Sequence, residues 1–205
     1  FDGARFTGQF TWFNGAQFTG EETSFDRATF TSDTTRFNAA QFTGEKTSFL
    51  DAQFTGTETL FEGTKFTGAR TSFDRAHFTG ATTSFDRAHF TGWSTSFDRA
   101  HFSGVFTTFD RAEFTGESIS FDGGQFTGTE TSFKDARFAG GTTWFEEVAW
   151  DRVQVTFDNV TIGPDTQFNG LDGPTLTNGA TITANGQPFT GQTIPPQPAT
   201  TSGSD

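Results

Sequence analysis

The amino-acid sequence predicts an all-β solenoid with a phenylalanine core, and three observations predict it. Phe recurs from Phe1 to Phe145 at steps that alternate five and seven residues without a break, so the unit is twelve residues long. Every unit carries β-branched Thr and nearly every one carries Gly, which oppose a helix, and a five-and-seven spacing gives no apolar helix stripe. The chain holds 30 Phe among 205 residues with no Tyr, Met or Cys, so the core must be built from one large ring. That requires a regular geometry.

Two five-residue blocks make up each unit. In the copy around Phe73 they are Thr71-Ser72-Phe73-Asp74-Arg75 and Ala76-His77-Phe78-Thr79-Gly80, and Ala81 and Thr82 follow before the next block. The centre of each block is Phe and the residue two before it is small. Side chains alternate along a strand, so Thr71 and Phe73 point to one side, as do Ala76 and Phe78. The large residue fills the interior, the small one makes room beside it, and the polar residues between and after face water. Phe73, Phe78, Phe85, Phe90, Phe97, Phe102, Phe109 and Phe114 are the expected core. In Phe-Thr-Gly, Thr suits a strand and Gly is read as the residue that makes the corner.

One twelve-residue unit encloses too little volume for two rings and two small side chains in each ~4.8 Å layer. A coil of two units, about 24 residues, is therefore expected, with two tight and two enlarged corners. It places Phe73 near Phe97 and Phe85 near Phe109.

These blocks resemble the pentapeptide-repeat proteins, whose pattern is a small residue, a polar residue, Leu or Phe, and two more polar positions. The resemblance covers residues 1 to about 162. It implies a right-handed, quadrilateral parallel β-helix with one block per side. The two-residue insert in every unit departs from the strict family pattern.

Residues 1–145 form the regular repeat. Trp150 and Phe157 take the next two Phe places, and the spacing then decays. Residues 146–194 read as degenerate coils that cap the open end, with inward candidates Ile162, Phe168, Leu171, Leu176, Ile182, Phe189 and Ile194, separated by Asn-Gly and Gly-Pro turn signals. Residues 195–205, rich in Pro, Thr and Ser, read as a flexible tail. Phe1 lies in phase with the repeat, so further sequence is expected to precede it. No apolar run approaches the ~20 residues of a membrane span, and the compartment is left open.

Catalysis needs an asymmetric set of groups converging in a pocket. This chain repeats the same polar residues at each step, so it reads as no enzyme, and no cofactor or metal site is expected. The histidines, His77, His89 and His101, occupy equivalent positions, but in a two-unit coil only His77 and His101 share a side, too few for a ladder. Asp-Arg pairs at Asp26-Arg27, Asp74-Arg75, Asp86-Arg87, Asp98-Arg99, Asp110-Arg111 and Asp151-Arg152 read as a solvated surface in which the two charges screen each other between coils. The outward Thr lack the regular partner of an ice-binding face.

The expected function is a structural or protein-interaction scaffold whose partner is another protein. A net charge of −12 argues against direct nucleic-acid binding. The alternative, implied by the family resemblance, is a DNA mimic that binds DNA gyrase. Acid in excess of base lies toward the C-terminal end of the repeat, so Glu117, Asp122, Glu130, Glu146, Glu147, Asp151 and Asp158 are the candidate interaction surface. An end-to-end homodimer is compatible with the rod.

Overall fold

A computed structural model of the protein describes residues 1–163, 166–171 and 176–189. The described residues form a parallel β-solenoid with no helix, built from four sheets of eight, nine, seven and seven strands. Each strand pairs with the strand one coil on. Side 1 carries His77–Phe78 beside His101–Phe102, and side 2 carries Thr82–Ser84 beside Phe106–Thr108. Side 3 pairs His89–Phe90 with Glu113–Phe114, and side 4 pairs Arg70–Ser72 with Ser94–Ser96. The register is 24 residues on every side, so the two-unit coil is the one that forms.

Four columns of rings run the length of the interior. Phe73 stacks on Phe97 at 4.9 Å and 4°, and Phe85 on Phe109 at 5.0 Å and 4°. The Phe78–Phe102 and Phe66–Phe90 columns stack in the same way. Across the coil the columns meet edge to face, as Phe73 does with Phe85 at 5.4 Å and 82°. Both arrangements suit the ring quadrupole, and each such pair adds about 0.5–1.5 kcal/mol to the roughly 1.5–3 kcal/mol of burying the ring. All eight core Phe expected from the sequence are buried, with Ala76 and Thr71 buried beside them.

Two kinds of corner alternate. Phe73–Ala76 is a four-residue turn closed by the Ala76 N–H on the Phe73 carbonyl at 3.0 Å, with its third residue, Arg75, at φ +53°. The other corner is a bend at Gly80 and Ala81.

Glycine serves a different purpose from the expected one. It is not the residue that turns the chain in the left-handed conformation; that position holds Arg27, Arg75, Arg87, Arg99 or Arg111 in most coils. A Cβ on Gly80 would lie 1.9 Å from the Gly56 carbonyl oxygen of the coil before it. Gly is required by the close approach of one backbone to the next. Ser32 stands in the same column, where its predecessor is Gly8 at the end of the stack, with φ +116°.

Strand pairing continues in register across residue 146, from Gln125–Phe126 to Ala149–Asp151 and from Ser118–Ser120 to Thr142–Trp144. Trp150 takes the place of Phe in its column and stacks on Phe126 at 4.8 Å. The stack closes with a hairpin: Gln187–Pro188 returns antiparallel to Thr181–Ala184 through Asn185-Gly186, both at positive φ. Phe189 then lies buried with its ring 5.0 Å from Phe157. Leu171 and Ile182 are buried and Ile162 is partly buried, as expected. Leu176 is a correction, since it is exposed although its backbone pairs with Trp150. Phe168 pairs its backbone with Thr143. Ile194 and the tail 195–205 lie outside the described residues.

Candidate functional site

The repeated Asp-Arg dipeptide falls on the four-residue turns, Asp at the second position and Arg at the third. The two side chains do not pair with each other there. Each Asp reaches to the following coil: Asp110 Oδ1 accepts the Ser132 hydroxyl at 2.5 Å and the Lys134 N–H at 2.9 Å. Asp74, Asp98 and Asp26 accept the hydroxyls of Ser96, Ser120 and Ser48 and the N–H of Asp98, Asp122 and Leu50. The Asp is a staple between successive turns, and the Ser beneath it is drawn in; Ser48 and Ser132 are buried where water was expected. Asp151-Arg152 is a second correction. It lies out of phase, in the columns of Thr127 and Gly128, and there the two side chains do pair, at 3.3 Å.

Stacking carboxylates at one-coil intervals perturbs them. Burial pushes the Asp110 carboxyl above its ordinary value, aided by the like charge of Asp86. Burial does the same to Asp122, with Asp98 and Glu146 adding repulsion. Asp51 is shifted the other way, because the Arg75 guanidinium binds it through both nitrogens at 2.7 and 2.8 Å. The Arg75–Asp51, Arg111–Asp135, Lys46–Glu22 and Arg70–Glu45 ion pairs all link neighbouring coils. All are at the surface, where such pairs contribute at most about 1 kcal/mol.

The acidic residues singled out from the sequence are spread around the rod. Asp122, Glu146 and Glu147 come together on the corner between sides 4 and 1, where Gly123 replaces Arg and the Glu146 N–H donates to Asp122 Oδ1 at 2.8 Å. A groove of about 190 Å³ runs along this corner past Asp74, Asp98 and Glu147. Asp151 lies on side 1, Glu130 on side 2, Glu117 near side 4, and Asp158 on the corner between sides 2 and 3. Asp158 Oδ1 is buried with no hydrogen-bond partner among the described residues.

Exposed aromatic side chains form a feature that the repeat pattern concealed. Trp93 projects from the corner between sides 3 and 4 with 68% of its surface exposed. Phe106 and Val105 are exposed on and beside side 2, and on the first coil Phe10 and Trp12 pack together at 5.1 Å with Arg36 over the Trp12 ring. These residues take outward places held elsewhere by Thr, Glu or Ala. The signal was available in the sequence as breaks in the outward pattern.

His77 and His101 face each other in register on side 1, and His89 lies on side 3, 3.0 Å from Glu113. Among the described residues, no group of three or more His, Cys, Asp or Glu side chains converges as a metal site. No helix among them is long and apolar enough to cross a membrane. Comparison with protein-family models and with curated protein sequences finds no match for the chain.

Proposed function

We propose that the chain is a pentapeptide-repeat-type scaffold that binds another protein through its sides and performs no catalysis. The observation that carries this reading is the filled interior: four continuous ring columns leave the solenoid no internal chamber for a substrate. What it offers a partner is a rigid surface on which outward residues recur at fixed intervals. Trp93 and Phe106 supply the large apolar side chains that anchor protein contacts, set among polar neighbours.

The DNA-mimic reading has weaker support. A mimic requires an unbroken track of free carboxylates. At the corner between sides 4 and 1 the third-position column reads Arg27, Asp51, Arg75, Arg99, Gly123, Glu147, with both signs along its length. The second-position carboxylates beside it are engaged with the following coil. Only Asp122, Glu146 and Glu147 form an acidic run without an interposed base.

A gyrase supercoiling assay separates the two. The scaffold reading expects no inhibition at micromolar protein, and a partner retained on the immobilised rod that Trp93→Ala or Phe106→Ala releases. Inhibition of supercoiling at that concentration, relieved by high salt, would replace the scaffold with the mimic.

A further inference from the structure

We propose that His77 and His101 form a two-imidazole binding site for a divalent transition-metal ion on side 1. They are direct partners on adjacent parallel strands, and their ring centroids lie 5.8 Å apart with the planes inclined at 47°. Two imidazoles on one tetrahedral ion, with N–metal bonds of about 2.0–2.1 Å, hold their donor nitrogens roughly 3.3 Å apart and their ring centroids roughly 5.2 Å apart. Small side-chain rotations cover that difference, and both rings have freedom to make them, His77 being exposed and His101 half-buried. The coil repeat itself supplies the geometry, since the same outward position in successive coils is one strand spacing apart.

The surroundings select the class of ion. The neighbours of the pair in the same column are Gln53 and Gln125, and Thr127 Oγ1 lies 3.4 Å from His101 Nε2. No carboxylate stands in this column, so hard cations such as Ca²⁺ find no charged oxygen there, whereas imidazole nitrogen suits Cu²⁺, Ni²⁺ and Zn²⁺. The nearest cation on the adjoining corner, Arg75, is tied to Asp51. Burial, then the neighbouring His77, lowers the proton affinity of His101, which keeps the ring neutral and free to ligate. Three histidines would make a ladder, but two are enough to hold an ion whose remaining positions are filled by water or by a partner's side chain.

The test uses tag-free protein titrated calorimetrically with Cu²⁺ alone and with Zn²⁺ alone. Gln already occupies this column, so His77→Gln and His101→Gln are substitutions the fold accepts. Wild type and His89→Gln are expected to bind one ion per chain with micromolar affinity, and the two side 1 variants to bind about tenfold or more weakly. The electron paramagnetic resonance spectrum of the Cu²⁺ form should show two nitrogen donors in wild type and one in either variant. Equal affinity in wild type and the side 1 variants would overturn the proposal, as would loss of binding on His89→Gln.

Discussion

Asp110 shows how one side chain can be polar, half-buried and structural at once. Its carboxylate satisfies the Lys134 N–H and the Ser132 hydroxyl of the next coil, against the costs of burial and of the neighbouring Asp86 charge. Asp110→Ala orphans both donors and is expected to destabilise by about 1–3 kcal/mol. Asp110→Asn keeps the accepting oxygen and removes the charge, and Asn14 and Asn38 already stand in this column. Its folded-state carboxyl value lies above the ordinary 3.8, so the folded chain binds this proton more tightly than the unfolded chain. The contribution of this group therefore makes wild type more stable as pH falls through the raised value. Denaturation of wild type and Asp110→Asn across pH 3 to 7 (about that range) should show Asn equal or more stable near neutrality, with the advantage shrinking on acidification. An Asn variant less stable at neutral pH by as much as the Ala variant would show that the charge itself holds the turn. The sequence displayed Asp beside Arg and suggested that they screen each other. The partner 24 residues on is invisible to a reading of neighbours, which is why the staple was missed while the inward Phe and Thr were found.

At the scale of the coil, two backbone positions have been exchanged relative to the sequence reading. The close approach belongs to Gly80, and the left-handed turn position to residues such as Arg87 at φ +57°. Gly80→Ala is expected to force neighbouring coils apart and cost about 1–3 kcal/mol or more, because the obstacle is a backbone carbonyl. Arg87→Gly relieves a left-handed non-glycine residue, and Gly63 occupies the equivalent position one coil earlier with φ +62°. After the greater chain entropy of Gly is offset, that variant should hold its stability or gain up to about 1 kcal/mol. Chemical denaturation of the two variants checks both. A tolerated Gly80→Ala together with a damaging Arg87→Gly would restore the corner role expected from the sequence. The five-and-seven spacing made the strands and their inward faces legible. Which of two flexible-looking positions turns and which packs depends on the distance between coils, and no local pattern encodes that. Leu176 was misplaced for a related reason, as the loops inserted after residue 163 shift the phase that the spacing relies on.

For the whole molecule, each coil contacts its neighbours above and below, and the rod is a one-dimensional stack. The aromatic count and the volume argument pointed to 24 residues per coil, and the four ladders have that register throughout the regular region. The scaffold reading, the staples and the His77–His101 pair all depend on it, because each joins residues one coil apart. What the rod binds was less legible, since the anchors Trp93 and Phe106 appear in the sequence only as irregularities of the outward positions.

The register can be tested directly, because the chain has no cysteine. Ser94 and Ser118 are direct partners on side 4, and Phe106, twelve residues from each, lies on side 2. A Ser94→Cys, Ser118→Cys variant brings two thiols to neighbouring strands within the span of a disulfide, roughly 4.4–6.8 Å between Cα atoms. Mild oxidation followed by non-reducing electrophoresis and intact mass is predicted to show a quantitative intramolecular disulfide in that variant and none in Ser94→Cys, Phe106→Cys. A disulfide in the second variant and free thiols in the first would mean a twelve-residue coil, and would contradict the account from the core outward.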